Sequence, residues 1–266
     1  LNWLLSAERT YPVTIDPTYV IATISLPPEA ASWELQGWKY KRPITINNST
    51  IAESFTNFPV SFYATSGVFD FAKAKSDGSD LRFTDGNGNQ LYYEAVSWNS
   101  SAQTGVFYFK ANGIPASTTT TAWVYYGNSG ATWDTTYASS GAVWGNGYSA
   151  VYHFEDLSGN WYNSSTGQYD AIPKAGNNFQ WATTTAISSS QFPQLGKGIY
   201  GTDIGNTVIT IPSVTFATNT RTYETWIIDS DAANSHNGFI GHGSAFSLGG
   251  GLGNSTSAVN VTMGLE

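Results

Sequence analysis

Ser79-Asp80-Leu81-Arg82-Phe83-Thr84-Asp85-Gly86-Asn87-Gly88-Asn89-Gln90-Leu91-Tyr92-Tyr93-Glu94-Ala95-Val96 decides how this chain is read. Residues 80–84 and 90–96 alternate side chain by side chain, as strands do when each face sees a different environment. Between them lies Asp85-Gly86-Asn87-Gly88-Asn89. Gly and Asn tolerate positive φ, so this run predicts a hairpin and antiparallel pairing.

The same period of two extends outward. Residues 38–47, 58–64, 106–111 and 122–126 read as further strands, with Pro43 marking an edge or a bulge. Residues 68–75 predict one helical turn pinned by Phe69 and Phe71, and residues 127–146 a connection. A second pattern starts at Tyr148, with strands over 150–154, 208–211, 222–228, 238–241, 245–248 and 258–263. Upstream, residues 10–18 predict a strand that stops at Asp16-Pro17. Residues 25–36 carry Pro27-Pro28 and read as a linker. Helical periodicity is nearly absent, and the two halves share no repeat. The expected fold class is all-β: two β-sandwich or jelly-roll modules behind an N-terminal extended strand and linker. The expected boundaries are 1–24 for the strand segment, 25–37 for the linker, 38–145 for the first module and 146–266 for the second.

Composition narrows the function classes. The chain has 266 residues, a net charge of −8 and only 11% charged residues, against about 25% in ordinary domains. Aromatics are 15% and Cys is absent. Disorder needs the reverse balance. Without thiols there is no disulfide framework, zinc–thiolate site or Cys nucleophile. A sequence pI near 4.7 argues against nucleic acid as a partner, and no apolar run is long enough to span a membrane. Polarity carried by Ser, Thr, Asn and Tyr, with one Met and no Cys, points to an extracellular location on a cell or particle surface. Leu1-Asn2-Trp3-Leu4-Leu5 lacks the basic start of a signal peptide. Both ends are therefore expected to be cut edges of a longer protein.

Two resemblances accompany this reading. Residues 38–145 resemble domain-of-unknown-function family 2341, found in bacterial and archaeal surface proteins. The carriers are Trp38-Lys39-Tyr40-Lys41-Arg42-Pro43-Ile44-Thr45-Ile46-Asn47, Ser79-Asp80-Leu81-Arg82-Phe83-Thr84-Asp85 and Tyr93-Glu94. Ile114-Pro115-Ala116-Ser117-Thr118-Thr119 and Val124-Tyr125-Tyr126-Gly127-Asn128 complete them. The resemblance implies β structure and no assigned chemistry. Residues 149–266 resemble the start of a laminin-G-like, concanavalin A-like jelly roll. Its carriers are Ala150-Val151-Tyr152-His153-Phe154-Glu155, Asn163-Ser164-Ser165, Val208 to Pro212 and Thr222-Tyr223-Glu224-Thr225-Trp226-Ile227. Such modules are usually longer, so this one is expected to be incomplete at its C-terminus. Glu8 to Pro17 looks like the closing strand of a preceding β domain.

Catalytic constellations are lacking in the sequence. Glycoside hydrolysis needs two carboxyls on one face, but Glu224 and Asp229 have opposite parity, as do Glu155 and Asp156. His153, His236 and His242 are scattered, and His153 sits in an apolar strand as a satisfied imidazole would. Neither a nucleophile elbow nor a phosphate loop occurs. No catalytic residues are proposed.

Binding sites are easier to nominate. Calcium wants many oxygens. The metal candidates are Asp156, Asn160, Asn163 and Asp170, and laminin-G-like domains imply one calcium near Asn163-Ser164-Ser165. Asp85 to Asn89 also offers oxygens, although an ordinary hairpin explains it. Trp161, Tyr162, Tyr169 and Trp181 are candidates for stacking on sugars, or else a plug over the sandwich end. Asn48, Asn99, Asn163, Asn254 and Asn260 head glycosylation sequons, as does Asn47, and their number is what composition predicts. Unfinished sheets leave edges that a strand from a neighbouring chain can fill, and residues 10–18 are the expected donor. The expected function is thus structural or adhesive and non-catalytic, with self-association through strand edges. A glycan-binding lectin-like module and an accessory part of a larger glycan-active enzyme are the alternatives.

Overall fold

The computed structural model describes residues 22–23, 35–154, 161–165, 167–173, 179–181, 199–201, 209–210, 221–227, 238–242, 246–249 and 259–265. The strand expected over 10–18 lies outside them. The described residues form antiparallel sheets with almost no helix, so the fold is all-β. The chain divides into two compact units.

The first unit is a β-sandwich. One sheet has the order β1-β2-β7-β4: β1 is Ala22–Thr23, β2 Tyr40–Asn47, β4 Arg82–Thr84 and β7 Thr119–Tyr126. The other has the order β3-β6-β5: β3 is Phe55–Thr65, β5 Tyr93–Asn99 and β6 Thr104–Ile114. One core lies between them. Ile44 and Ile46 from β2, Val60 and Phe62 from β3, Phe83 from β4, Phe107 and Phe109 from β6, and Val124 from β7 all belong to it. These positions are two apart because a strand turns alternate side chains to the same face. Phe83 stacks on Phe109 at 5.2 Å and meets Phe62 edge-on at 5.5 Å, the offset arrangements that ring quadrupoles favour. Between β3 and β4, Phe71–Lys73 form the expected single turn, capped by Asp70 and anchored by buried Phe71.

The hairpin run folds as a turn. Asp85 Oδ1 accepts the amides of Asn87 and Asn89 at 2.9 Å each, and Asn89 Nδ2 donates to Asp85 Oδ2. Gly88 has a φ of +85°, which a side chain would oppose. The Asp85 carboxylate is thus spent on its own turn, but the expected pairing of the two arms stops at a single Thr84–Gln90 bridge: β4 pairs with β7 and β5 with β6, so the turn carries the chain from one sheet to the other. Leu91 N donates to Phe83 O, joining the two arms.

The strand β6 departs from simple alternation. Val106, Phe107, Tyr108 and Phe109 are all buried. Phe107 and Phe109 face the sandwich core, while Val106 and Tyr108 face a second cluster with Val143 and Trp144. A strand buried on both faces reads as a continuous apolar run, as Val106-Phe107-Tyr108-Phe109 does. The cover is the segment that sequence periodicity left as a connection. It contains α1, Ser140–Val143, whose N-cap Ser139 accepts the Ala142 amide. Tyr148 and Val151 pack onto the same cluster.

Residues 150–154 were expected to be a strand opening the second module. They make only a single antiparallel bridge, Tyr152 to Asn163, and they belong to the first unit, as do residues 162–169. The reason is side-chain docking, which strand periodicity does not encode. Val151, His153, Asn163, Ser164 and Ser165 all find partners within that unit.

The strands that follow are short. They are β8 Trp161–Asn163, β9 Gln168–Pro173, β10 Phe179–Trp181, β11 Ile199–Gly201, β12 Ile209–Thr210, β13 Arg221–Ile227, β14 Gly238–His242, β15 Phe246–Gly249 and β16 Val259–Leu265. Within the second unit β10 pairs with β11, β9 with β12, β13 with β16 and β14 with β15, all antiparallel. Among the described residues no helix is long and apolar enough to cross a membrane.

Candidate functional site

Two buried polar centres stand out in the first unit. The first is built by the run that opens the sequence reading. Asp80 is fully buried. Its Oδ1 accepts Lys75 N at 3.0 Å, and its Oδ2 accepts Gly127 N at 2.7 Å and Asn128 N at 3.2 Å. Trp38 Nε1 donates to the Asp80 carbonyl. The carboxylate therefore holds the loop before β4 to the end of β7, and the Asp80 carbonyl adds the entry to β2. Gly127 is required there twice over. Its φ is +87°, and a Cβ at that position would run into the Tyr40 ring.

Arg82 lies beside it and is also buried. Its guanidinium donates to the carbonyls of Ser79, Leu81 and Thr132 and to the Tyr93 hydroxyl, and Nε pairs with Asp134 Oδ2 at 3.2 Å. A buried charge is tolerated only when paired and fully bonded. Arg82 meets that condition by tying residues 132–134 to the sheet. Burial pushes the Asp134 carboxyl up, but amides of Tyr137 and Thr136, Gln90 and Arg82 outweigh it and hold it below the ordinary value. Burial raises the Tyr93 hydroxyl.

The second centre is Glu94, on the outer face of the β3-β6-β5 sheet. Three donors converge on it. Ser164 Oγ lies 2.5 Å from Oε1, Trp144 Nε1 lies 2.6 Å from Oε2, and His153 Nε2 lies 3.2 Å from Oε2. The side chains of His153 and Glu94 are 11% and 9% exposed. The imidazole stacks on Tyr108 at 5.0 Å and tilts against Trp144 at 5.7 Å. Burial alone would raise the Glu94 carboxyl. The hydrogen bond and charge of His153, then Ser164 and Trp144, overcome it and hold the carboxyl below its ordinary value.

Ser, His and Glu here do not form a nucleophilic relay. Ser164 donates to the carboxylate, and His153 faces that same carboxylate. Activation requires the serine hydroxyl to donate to the imidazole. The arrangement binds segments together. Sequence reasoning assigned Glu94 no role and placed His153 and Ser164 in another module. The available signal was a lone carboxylate in an aromatic strand, which must find partners if its face is covered.

The nominated sites scatter. Asn163 is fully buried, and its Oδ1 accepts Val151 N at 3.0 Å and Ser165 N at 3.1 Å. Both lone pairs are taken, and what remains is Nδ2, a donor that repels a cation. Asn163 is therefore corrected from calcium ligand to turn-former, and its burial equally leaves no room for a glycan. Asn48 is corrected likewise. It is fully buried, and Nδ2, the nitrogen a glycan would occupy, donates to the carbonyls of Glu53 and Pro115. Asn99 is exposed at the end of β5, with Oδ1 accepting Ala102 N.

Trp161 is 1% exposed, so it is corrected from a sugar platform to a core side chain. Tyr162 is half-buried, with its hydroxyl 3.3 Å from Ser140 Oγ. Tyr169 and Asp170 fall in β9, Trp181 in β10 and Asn260 in β16, with side chains outside the described set. Asp156, Asn160 and Asn254 lie outside the described residues. Among the described residues no group of three or more His, Cys, Asp or Glu is placed to hold a metal.

Comparison with known proteins agrees with the first resemblance in part. No curated protein and no solved structure matches the chain. Residues 77–183 match the family model described as a domain of unknown function (DUF2341), a stretch that holds Asp80, Arg82, Glu94, His153 and Ser164.

Proposed function

We propose that this chain is a non-catalytic structural or adhesive component of an extracellular surface, assembling with neighbouring copies through strand exchange. The observation that carries the reading is β1. Ala22 and Thr23 pair with Ile46 and Thr45, so the N-terminal segment occupies the edge of β2 through two residue pairs. A short edge strand on a Pro-containing tether is the element that domain swapping exchanges, because the same contact forms within a chain or between chains. Charge supports it. Residues 1–34 carry Glu8, Asp16, Glu29 and Glu34 against Arg9, while β2 is entered through Lys39, Lys41 and Arg42.

The chemistry of the first unit is in keeping with this. Asp80, Arg82, Asp134 and Glu94, with His153 Nε2, make internal bonds that hold loops to sheets. In this reading the second unit is a laminin-G-like module, whose antiparallel strand pairs suit that architecture. Deleting residues 1–36 tests the assembly. The full chain is expected to elute larger than a monomer at high concentration, and the deleted chain as a monomer. Identical elution of both, with both folded by circular dichroism, would refute strand exchange.

A further inference from the structure

Residues 139–154 and 163–165 lie as a strap across the outer face of the β3-β6-β5 sheet. Under it sit Val106 and Tyr108, flanked by Tyr63, Tyr92 and Val96. The strap is held by Val143 and Trp144 as apolar anchors, by Ser139 N donating to Tyr93 O and Asn146 Nδ2 to Thr56 O, and by one carboxylate. Three donors from three separate strap positions, Trp144, His153 and Ser164, end on Glu94. We propose that the strap is an acid-released closure: protonation of Glu94 lifts it from the sheet while the sandwich beneath stays folded.

The geometry supports release at this point. A neutral carboxyl has one oxygen that no longer accepts well and a proton that needs an acceptor. Trp144 Nε1 and Ser164 Oγ are buried on different oxygens of Glu94, so protonating either oxygen weakens a charge-assisted bond that water replaces only on opening. The sandwich core lies on the other face of the sheet and contains no strap residue, while Tyr137 and Ala138, just before the strap, pack against it. The strap also carries backbone strain. Phe154, directly after His153, has a φ of +54°, a costly conformation for a bulky side chain that persists only while its surroundings hold it.

No second carboxylate competes among the described residues here. The elements packed around Glu94 bring Tyr63 from β3, Tyr92 from just before β5, Tyr108 and Lys110 from β6, and Tyr148, Tyr152, His153 and Tyr162 from the strap and β8. Lys110 sits over the Tyr92 ring at 4.8 Å. None is a carboxylate, so among the described residues of these elements Glu94 alone loses a negative charge in acid.

Hydrogen exchange on the full chain, corrected for intrinsic rates, reads the opening directly. Between neutral pH and the acid side of the carboxylate range, peptides over 140–154 are expected to lose about tenfold or more in protection. Peptides over β6 and β7 should hold theirs. Glu94→Gln is expected to show the loosened strap at every pH. Ser164→Ala removes one donor and leaves the carboxylate, so its strap should open at a higher pH than the wild type. That variant decides the matter if Glu94→Gln fails to fold. Strap and core peptides losing protection together, or a Ser164→Ala profile identical to the wild type, would overturn the proposal.

Discussion

Asp80 illustrates how much of this fold rests on single polar residues. Its two oxygens take three backbone amides, one from its own loop and two from the end of β7 nearly fifty residues on. Removing the side chain leaves those amides buried and unbonded, and each such loss costs about 1–3 kcal/mol. Asp80→Ala is accordingly expected to lower unfolding free energy by at least about 3 kcal/mol, measured by urea denaturation. A loss within experimental error would mean the amides are satisfied elsewhere. Residue-scale legibility was uneven. Asp80, Arg82 and Gly127 entered the sequence reading only within the motifs of the first resemblance, and their roles came from the structure. Asn48 and Asn163 did not stand out as buried. A sequon looks the same whether its amide faces solvent or two carbonyls, and only the chain around it decides.

At the scale of elements, α1 and Trp144 matter more than their length suggests. The indole covers Tyr108 at 5.0 Å, meets Tyr148 at 5.1 Å and donates to Glu94. Trp144→Ala should cost about 3–5 kcal/mol as a large buried side chain and abolish strap protection while sparing β7. Denaturant unfolding with exchange mapping checks both parts. The strands themselves were readable, because period two and turn composition are local. Strands at 82–84, 93–99, 104–114 and 119–126 fall where they were expected, with β3 and β6 longer than expected and β6 buried on both faces. The four residues of α1 were missed because one turn has too few positions to show a helical period. The strand expected at 150–154 was a docking segment. Its apolar residues serve a sheet face from another part of the chain, and periodicity cannot distinguish that from pairing.

For the molecule as a whole, stability should depend on acid in a defined direction. Glu94 and Asp134 are both held below their ordinary values in the fold. A depressed carboxyl adds stability that is fully present above its unfolded pKa and is lost as pH falls through its folded one. Thermal unfolding is therefore expected at progressively lower temperature as the pH drops below the ordinary carboxylate range, with a plateau above it. A melting temperature that stays level through that range would contradict the role given to both carboxylates. Scale also explains what was legible. The sequence by itself determined the all-β class, the 85–89 turn and the identity of the core strands, because each depends on neighbours within a few residues, whereas the separation of β4 and β5 into opposite sheets does not. Only the tertiary structure decided where the first unit ends, which asparagines are buried, and that Glu94, Trp144, His153 and Ser164 meet. Those contacts join residues 50 to 70 positions apart. Such distances carry no local period, and packing alone settles which side chain a buried carboxylate finds.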